Sequence, residues 1–408
     1  MGSRVGAQVP CVAIDSSYSF INYKANTLRY GTDSSVMNAF FEKWAKVAST
    51  NRGNISILHI GGSHVQAGTF PNRVRTNILR RYPDLVAARG MVFPYSAAAK
   101  CNNPVDYRVH CPQKVGLTRN VYKEPQQPLG LCGIAVTAFD STATIDIVLS
   151  ENQPGYNTRQ VVLLGKSEGD VVPLLAFNDR EVYPSFVDPP TRRYVFNLSA
   201  TVDSFRIILP CDSAQSFTLT GIYLGNNRPG FTYHSVGVNG AALPDYLDKC
   251  PYFTTDLRLI RPDLVIFGIG INDAAAPNFD SAAFHANYLR LCDSIRSVSP
   301  SCAFIFVTNN DSFKKVRRSY VVNQNGLQVQ QVMYRLAEET QGAVWDQFEV
   351  MGGLKSMDKW RLAKLAQTDR VHFTRAGYEL VGDLLSNALF DKLNLSTDNA
   401  YRHPYISY

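Results

Sequence analysis

The 408-residue sequence predicts an α/β chain in which a mostly parallel sheet, covered by helices on both faces, is interrupted by an all-β sandwich. Three observations predict it. Strand-length apolar runs alternate with helix-period segments near both ends of the sequence. The helical period vanishes between about 130 and 226, where short β-rich segments alternate with turn residues. Polar residues and glycines gather where the strands of the α/β parts end, as they do in open sheets that bind ligands at one edge.

The texture changes near residues 105 and 230, dividing the chain into 1–105, 106–229 and 230–408. In the first part, Met37, Phe40, Phe41, Trp44 and Val47 recur at helical spacing. A strand over 55–62 follows, then the helix-like "FPNRVRTNILRRY". The middle part offers "GIAVTAFD", "ATIDIVLS", "RQVVLLGK", "YVFNLSA", "SFRIILP" and "SFTLTGIYLG" as strands. Phe217 and Leu219 alternating with Thr218 and Thr220 indicate half-buried antiparallel strands. After 230 the alternation resumes, with strands at 264–270 and 303–308 and near "AVWDQ", and helices over about 280–297, 327–340 and 375–392.

Composition sets bounds on function. At 45% hydrophobic the chain can bury one large core or two of ordinary size, and disorder is not expected. No apolar run approaches the roughly 18 residues that cross a bilayer, so a soluble chain is expected. "MGSRVGAQVPC" has no apolar leader region, which fits a cytosolic protein or the mature form of an exported one. The formal charge of +7 favours anionic surfaces, but no lysine or arginine run occurs. Nucleic acid is therefore not expected as a partner, whereas an acidic polysaccharide is compatible. Eight cysteines without a C-x-x-C pair argue against a zinc site and leave disulfides and buried thiols as equal alternatives.

Four strand-end stretches carry polar groups: "GGSH" at 61–64, "GVNGA" at 237–241, "GIND" at 270–273 and "DRVH" at 369–372. Loops after parallel strands converge on one edge, so the four can share a pocket. A serine hydroxyl becomes a nucleophile when a histidine oriented by a carboxylate takes its proton. Ser63 fits the nucleophile, and Asp369 with His372, three residues apart, fit the orienter and base. A tetrahedral oxyanion then needs fixed donors, for which the N–H groups of Gly240 and Ser63 and the Asn272 amide are candidates. His64, Asn239 and Asp273 are candidates for lining the pocket. Singly, these residues have plainer readings as an N-cap, turn residues and a packed histidine. It is the conjunction of four motifs in this order that points to acyl transfer.

At these residues the sequence resembles the SGNH, or GDSL, hydrolase superfamily. "HIGGSHVQAG", "GVNGA", "GIND" and "DRVHF" look like its four blocks, over roughly 35–100 and 230–395. The resemblance implies a flavodoxin-like three-layer sheet, Ser63 as nucleophile, Gly240 and Asn272 as oxyanion donors, and Asp369 with His372 completing the triad. Bacterial peptidoglycan O-acetylesterases and related polysaccharide deacetylases resemble it further, some with a carbohydrate-binding-like sandwich between the serine and glycine blocks. That likeness implies an O-acetylated polysaccharide partner, export to the periplasm or cell surface, and no cofactor. Superfamily members usually carry Asp where this chain has Gly62, which leaves a carbohydrate-binding protein with a degenerate hydrolase domain as one alternative. A lipase or thioesterase is another.

Other motifs are set aside. "GKSEG" at 165–169 matches G-x-S-x-G, but a strand rather than a helix follows it, so a hairpin turn is expected. "GIGIND" has two of the three glycines of a dinucleotide fingerprint. His59 and His64 lack further metal ligands nearby, and His59 reads as a core histidine. Tyr156, Tyr183 and Phe186 lie in turn-rich segments; packing against the hydrolase part is the plainer expectation, sugar stacking the sharper one.

Overall fold

The structure is a computed structural model that describes residues 12–97, 101–150, 156–178 and 180–402, with side chains described as far as residue 394. The α/β part is built on one seven-stranded sheet. Its order is Ala87–Ala88, Gly230–Gly237, Asn54–Gly61, Leu264–Gly268, Ala303–Val307, Ala343–Trp345 and Leu28–Tyr30, and only the last strand is antiparallel. The five main strands therefore run 2-1-3-4-5, the doubly wound flavodoxin-like order. Ile55, Ile57, Leu58, Ile60, Leu264 to Phe267 and Ala303 to Val307 are buried, because helices cover both faces of the sheet. This is why these strands read as continuous apolar runs instead of alternating ones.

All five periodic residues of the first predicted helix are buried on one side of Ser35–Thr50. That helix and Thr69–Arg81 pack with the last helix, Arg375–Arg402. The last helix outruns its expected end near 392, since after Gly382 no glycine or proline occurs before Pro404. Ser281–Arg296 starts where Asp280 accepts from the Ala282 and Ala283 N–H groups.

The middle of the chain forms two antiparallel sheets. One orders Arg180–Val182, Leu174–Phe177, Ser204–Leu209, Ala143–Leu149 and Tyr107–His110. The other orders Phe186–Asp188, Arg193–Asn197, Gln160–Glu168, Ser216–Gly225, Ile134–Ala138 and Val115–Arg119, and it draws in Gly90–Val92 from ahead of residue 106. Alternation holds in Ala143–Leu149, where every second residue is buried. It fails in Ser216–Gly225: Thr218 and Thr220, expected at the surface, are buried too. That strand is central and covered on both faces. Its hydroxyls are satisfied by Thr137 and by Arg192, which reaches on to Asp256 of the helix Phe253–Ile260 in the α/β part. "GKSEG" ends a strand in a turn, with Ser167 Oγ donating to the Val171 carbonyl, and a strand follows.

A fully buried charge cluster fastens the two parts. The Asp106 carboxylate accepts from Arg89 and, at 3.1 Å, from Arg75, while Arg75 also donates to the Tyr233 carbonyl and the Asn72 amide oxygen. Tyr156 packs onto this cluster with 2% of its surface exposed, so it is no sugar platform. Tyr183 and Phe186, by contrast, are 74% and 60% exposed. The seven described cysteines are free thiols, most of them buried, and Cys11 lies outside the described residues.

Candidate active site

Gly61, Gly237 and Gly268 stand side by side, in register, at the ends of three neighbouring parallel strands. A β-carbon on Gly61 would lie 2.5 Å from the Gly268 carbonyl oxygen, and one on Gly237 would lie 2.5 Å from the Gln66 nitrogen. The backbone can fold onto the strand ends only without side chains there. This close approach lets the helical turn Ser63–Gln66 begin at the sheet edge, with Val65 and Gln66 N–H both donating to the Gly62 carbonyl.

Ser63 is the first residue of that turn. Its Oγ lies 2.8 Å from His372 Nε2, and His372 Nδ1 lies 2.7 Å from Asp369 Oδ2. Asp369 Oδ1 accepts from the N–H groups of Val371 (2.9 Å) and His372 (3.0 Å), so a single carboxylate both shapes the turn and orients the ring. The Asn310 amide grips the Val371 carbonyl from the other side at 3.0 Å. Partial burial works against the Asp369 charge, but donation from the His372 backbone and ring and the Val371 backbone holds the carboxyl below its ordinary range.

The loop 238–241 is a tight turn closed by Ala241 N–H on the Val238 carbonyl, with Gly240 in the left-handed region at φ +87°. Only glycine takes that position cheaply. Asn272, on the short helix Ile271–Ala275, donates one amide hydrogen to the Ala241 carbonyl at 2.9 Å. A primary amide has two hydrogens, so this bond fixes the side chain and leaves the other free. Ser63 N–H, at the start of a helical turn, has no acceptor within that turn. Gly240, Asn272 and Ser63 thus supply three candidate donors at this edge of the sheet.

The residues expected to line the pocket are placed differently. Asp273 turns away and accepts from Leu243 N–H at 3.1 Å, anchoring the helix that follows the glycine loop; burial raises its carboxyl to about 6. Asn239 faces the site through its backbone, its N–H donating to Gln66 Oε1 at 2.7 Å and its carbonyl accepting from Arg119. His64 lies behind the triad, its ring 5.1 Å from that of His372 and its Nδ1 2.8 Å from the Tyr378 hydroxyl. Burial, aided by His372, pushes it down to about 3, so it is a neutral ring bordering a small pocket that it shares with Phe70, Asn309 and Tyr378. His59 is a core histidine paired with the Tyr233 hydroxyl at 2.9 Å.

Sequence reasoning missed Gln66 and Arg119. Gln66 lies one turn beyond Ser63, and that spacing was available as a signal. Arg119 carries no local signal, being a strand-end arginine of the sandwich.

This fold and this arrangement of polar groups are similar to those of esterases and acylhydrolases of the GDSL type. Residues 219–380 match the GDSL-like Lipase/Acylhydrolase family, a span that includes Gly240, Asn272, Asp369 and His372. Among solved structures, a peptidoglycan O-acetylesterase is similar over 90% of this chain and 99% of its own length, with 22% identity and a TM-score of 0.73. An acetyl xylan esterase is 15% identical over 39% of this chain and 81% of its own (TM-score 0.30). A family two carbohydrate esterase from Clostridium thermocellum is 10% identical over 69% and 98% (TM-score 0.29). No curated protein matches the sequence.

Proposed function

We propose that the protein is a serine esterase that removes O-acetyl groups from a polysaccharide outside the cytoplasm, with bacterial peptidoglycan as the substrate class, through an acetyl-enzyme. The observation that carries this reading is the unbroken chain from Ser63 Oγ to His372 to Asp369 at the carboxyl edge of the sheet. The sugar class is supported by the extent of the fold likeness to a peptidoglycan O-acetylesterase, which spans the sandwich as well as the hydrolase part.

Ser63 Oγ attacks the acetyl carbonyl carbon as His372 Nε2 takes its proton, and Asp369 stabilises the imidazolium. The tetrahedral oxyanion accepts from Gly240 N–H, the free Asn272 hydrogen and Ser63 N–H. Collapse of the intermediate expels the sugar hydroxyl, which takes the proton from His372. Water, deprotonated by the same ring, then attacks the acetyl-Ser63 carbonyl, releasing acetate and restoring the hydroxyl. His64, held neutral beside the base, adds no competing positive charge.

Acetate release from O-acetylated peptidoglycan, compared with acetylated xylan, tests the substrate, and organophosphonate labelling tests the nucleophile. A Ser63 adduct with faster release from peptidoglycan is expected. An unlabelled Ser63 in folded protein would favour a binding protein, and faster release from xylan would move the substrate to plant polysaccharide.

A further inference from the structure

The strand Val115–Arg119 belongs to the inserted sandwich, yet its last residue reaches the glycine loop of the hydrolase part. Arg119 Nη2 donates to the Asn239 carbonyl oxygen at 2.5 Å. Among the described residues Arg119 is in no ion pair, so no carboxylate draws its charge away from this carbonyl. The segment that delivers it is fixed: Tyr122 N–H closes a turn onto the Arg119 carbonyl at 3.0 Å, and Asn120 N–H bonds the Gly133 carbonyl at 2.9 Å. Val121 of the same turn comes within 3.9 Å of where a β-carbon on Gly240 would lie.

The Asn239 carbonyl and the Gly240 N–H are the two ends of one peptide unit. In a trans peptide they point in opposite directions in one plane, so fixing the oxygen fixes the hydrogen. A charge-assisted bond to the oxygen is short and strong, and it polarises the unit so that its N–H becomes a better donor. Gln66 secures the preceding peptide unit through Asn239 N–H at 2.7 Å. A glycine in the left-handed region would otherwise be among the least constrained points of the site.

We propose that Arg119, supplied by the inserted sandwich, is a positioning residue for ester hydrolysis: by holding the Asn239 carbonyl it orients and polarises the Gly240 N–H toward the oxyanion. The inference rests on the esterase reading above. It makes the insert a working part of the catalytic centre, whatever its outer face binds.

The test uses the full chain with Arg119→Met, which keeps much of the apolar stem and removes the charge, and Arg119→Lys, which keeps a cationic donor. Complete loss of one oxyanion donor costs about 100- to 1,000-fold in kcat, so a weakened donor should cost about 10-fold or more. For a small acetyl ester, Arg119→Met should lower kcat by that factor with KM and melting temperature nearly unchanged, and Arg119→Lys should recover part of the loss. A trifluoromethyl ketone, whose adduct with Ser63 carries an oxyanion, should bind Arg119→Met more weakly by a similar factor. Wild-type kcat in Arg119→Met, or a loss matched by raised KM or lowered stability with no change in ketone affinity, would overturn the proposal. If Arg119→Met does not fold, the uncharged and shorter Arg119→Gln takes its place, and a wild-type kcat there together with undiminished ketone affinity would overturn the proposal. Ser63→Ala separates the two levels: if it retains turnover, the esterase reading itself fails, whereas inactive Ser63→Ala beside fully active Arg119→Met sinks only the role of Arg119.

Discussion

A β-carbon on Gly62 would lie 3.2 Å from the Asn272 side-chain nitrogen, with the Ala241 and Val238 carbonyl oxygens at 3.5 and 3.8 Å. At φ −96° the Gly62 backbone is outside the left-handed region, and this contact is what an added side chain would meet. A side chain here pushes on an oxyanion donor, and a carboxylate would also face two carbonyl oxygens. Nor is the loop slack, because the Gly62 carbonyl already accepts two N–H groups. Gly62→Asp should therefore lower kcat about 3- to 10-fold, since sub-ångström misplacement at a reacting centre is costly. A raised kcat at unchanged melting temperature would show instead that the glycine loosens the site.

Asn272→Ala removes the amide that spans Ala241 and the proposed oxyanion position. A donor used mainly in the transition state should cost about 100-fold or more in kcat with little change in KM. Steady-state kinetics on a small acetyl ester checks both parameters.

Asp369→Asn can keep Oδ1 as acceptor for the Val371 and His372 N–H groups only by presenting its NH₂ to His372 Nδ1. That forces the proton onto Nε2, the atom that must receive the Ser63 proton. The loss in kcat should be on the order of 10⁴-fold with the fold intact, and milder than in Ser63→Ala. Circular dichroism alongside kinetics distinguishes this from unfolding.

Buried histidines set the response to acid. His59, His64 and His234 are each pushed down to about 3, first of all by burial. From the ordinary value near 6.5 down to about 3, the unfolded chain binds protons that the folded one does not. Stability is thus full above about 6.5 and falls as pH drops through this window, by up to about 1.4 kcal/mol per pH unit for each such group. Urea unfolding at pH 7.5, 6.0 and 5.0 should show this slope, and His234→Gln should reduce it; an unchanged slope would remove His234 from the set.

Asp106→Asn would leave Arg75 and Arg89 buried without their anion. Breaking a buried ion pair from one side costs about 3–5 kcal/mol, and the cluster joins the sandwich to the hydrolase part. Urea titration should show a loss of that size.

Local chemistry made much of this protein legible. Apolar runs of strand length between helix-period segments are a local consequence of burial on both faces, so the alternating α/β parts could be read directly. The turn residues of 130–226 likewise marked its strands. Ser63, Gly240 and Asn272 stood out because each follows the end of a strand, and parallel strands bring such ends to one edge by topology alone; Asp369 and His372, expected at a strand end, lie instead in the loop between the helices Ser356–Leu362 and Arg375–Arg402, and it was their spacing ahead of the last helix that marked them.

What the sequence could not carry was the partner of each side chain, since that depends on contacts between residues far apart in the chain. Asp273 reads like its neighbour Asn272, yet one step along a short helix turns it toward Leu243 and out of the pocket. Thr218 and Thr220 alternate like surface residues, but a second covering layer buries them. Tyr156 and Tyr183 both lie in turn-rich segments, and only the packing of Arg75 against the first separates buried from exposed. Arg119 is the clearest case: nothing near it in sequence marks it, and the reach of its guanidinium across a domain boundary to the Asn239 carbonyl exists only once both sheets are folded and locked together.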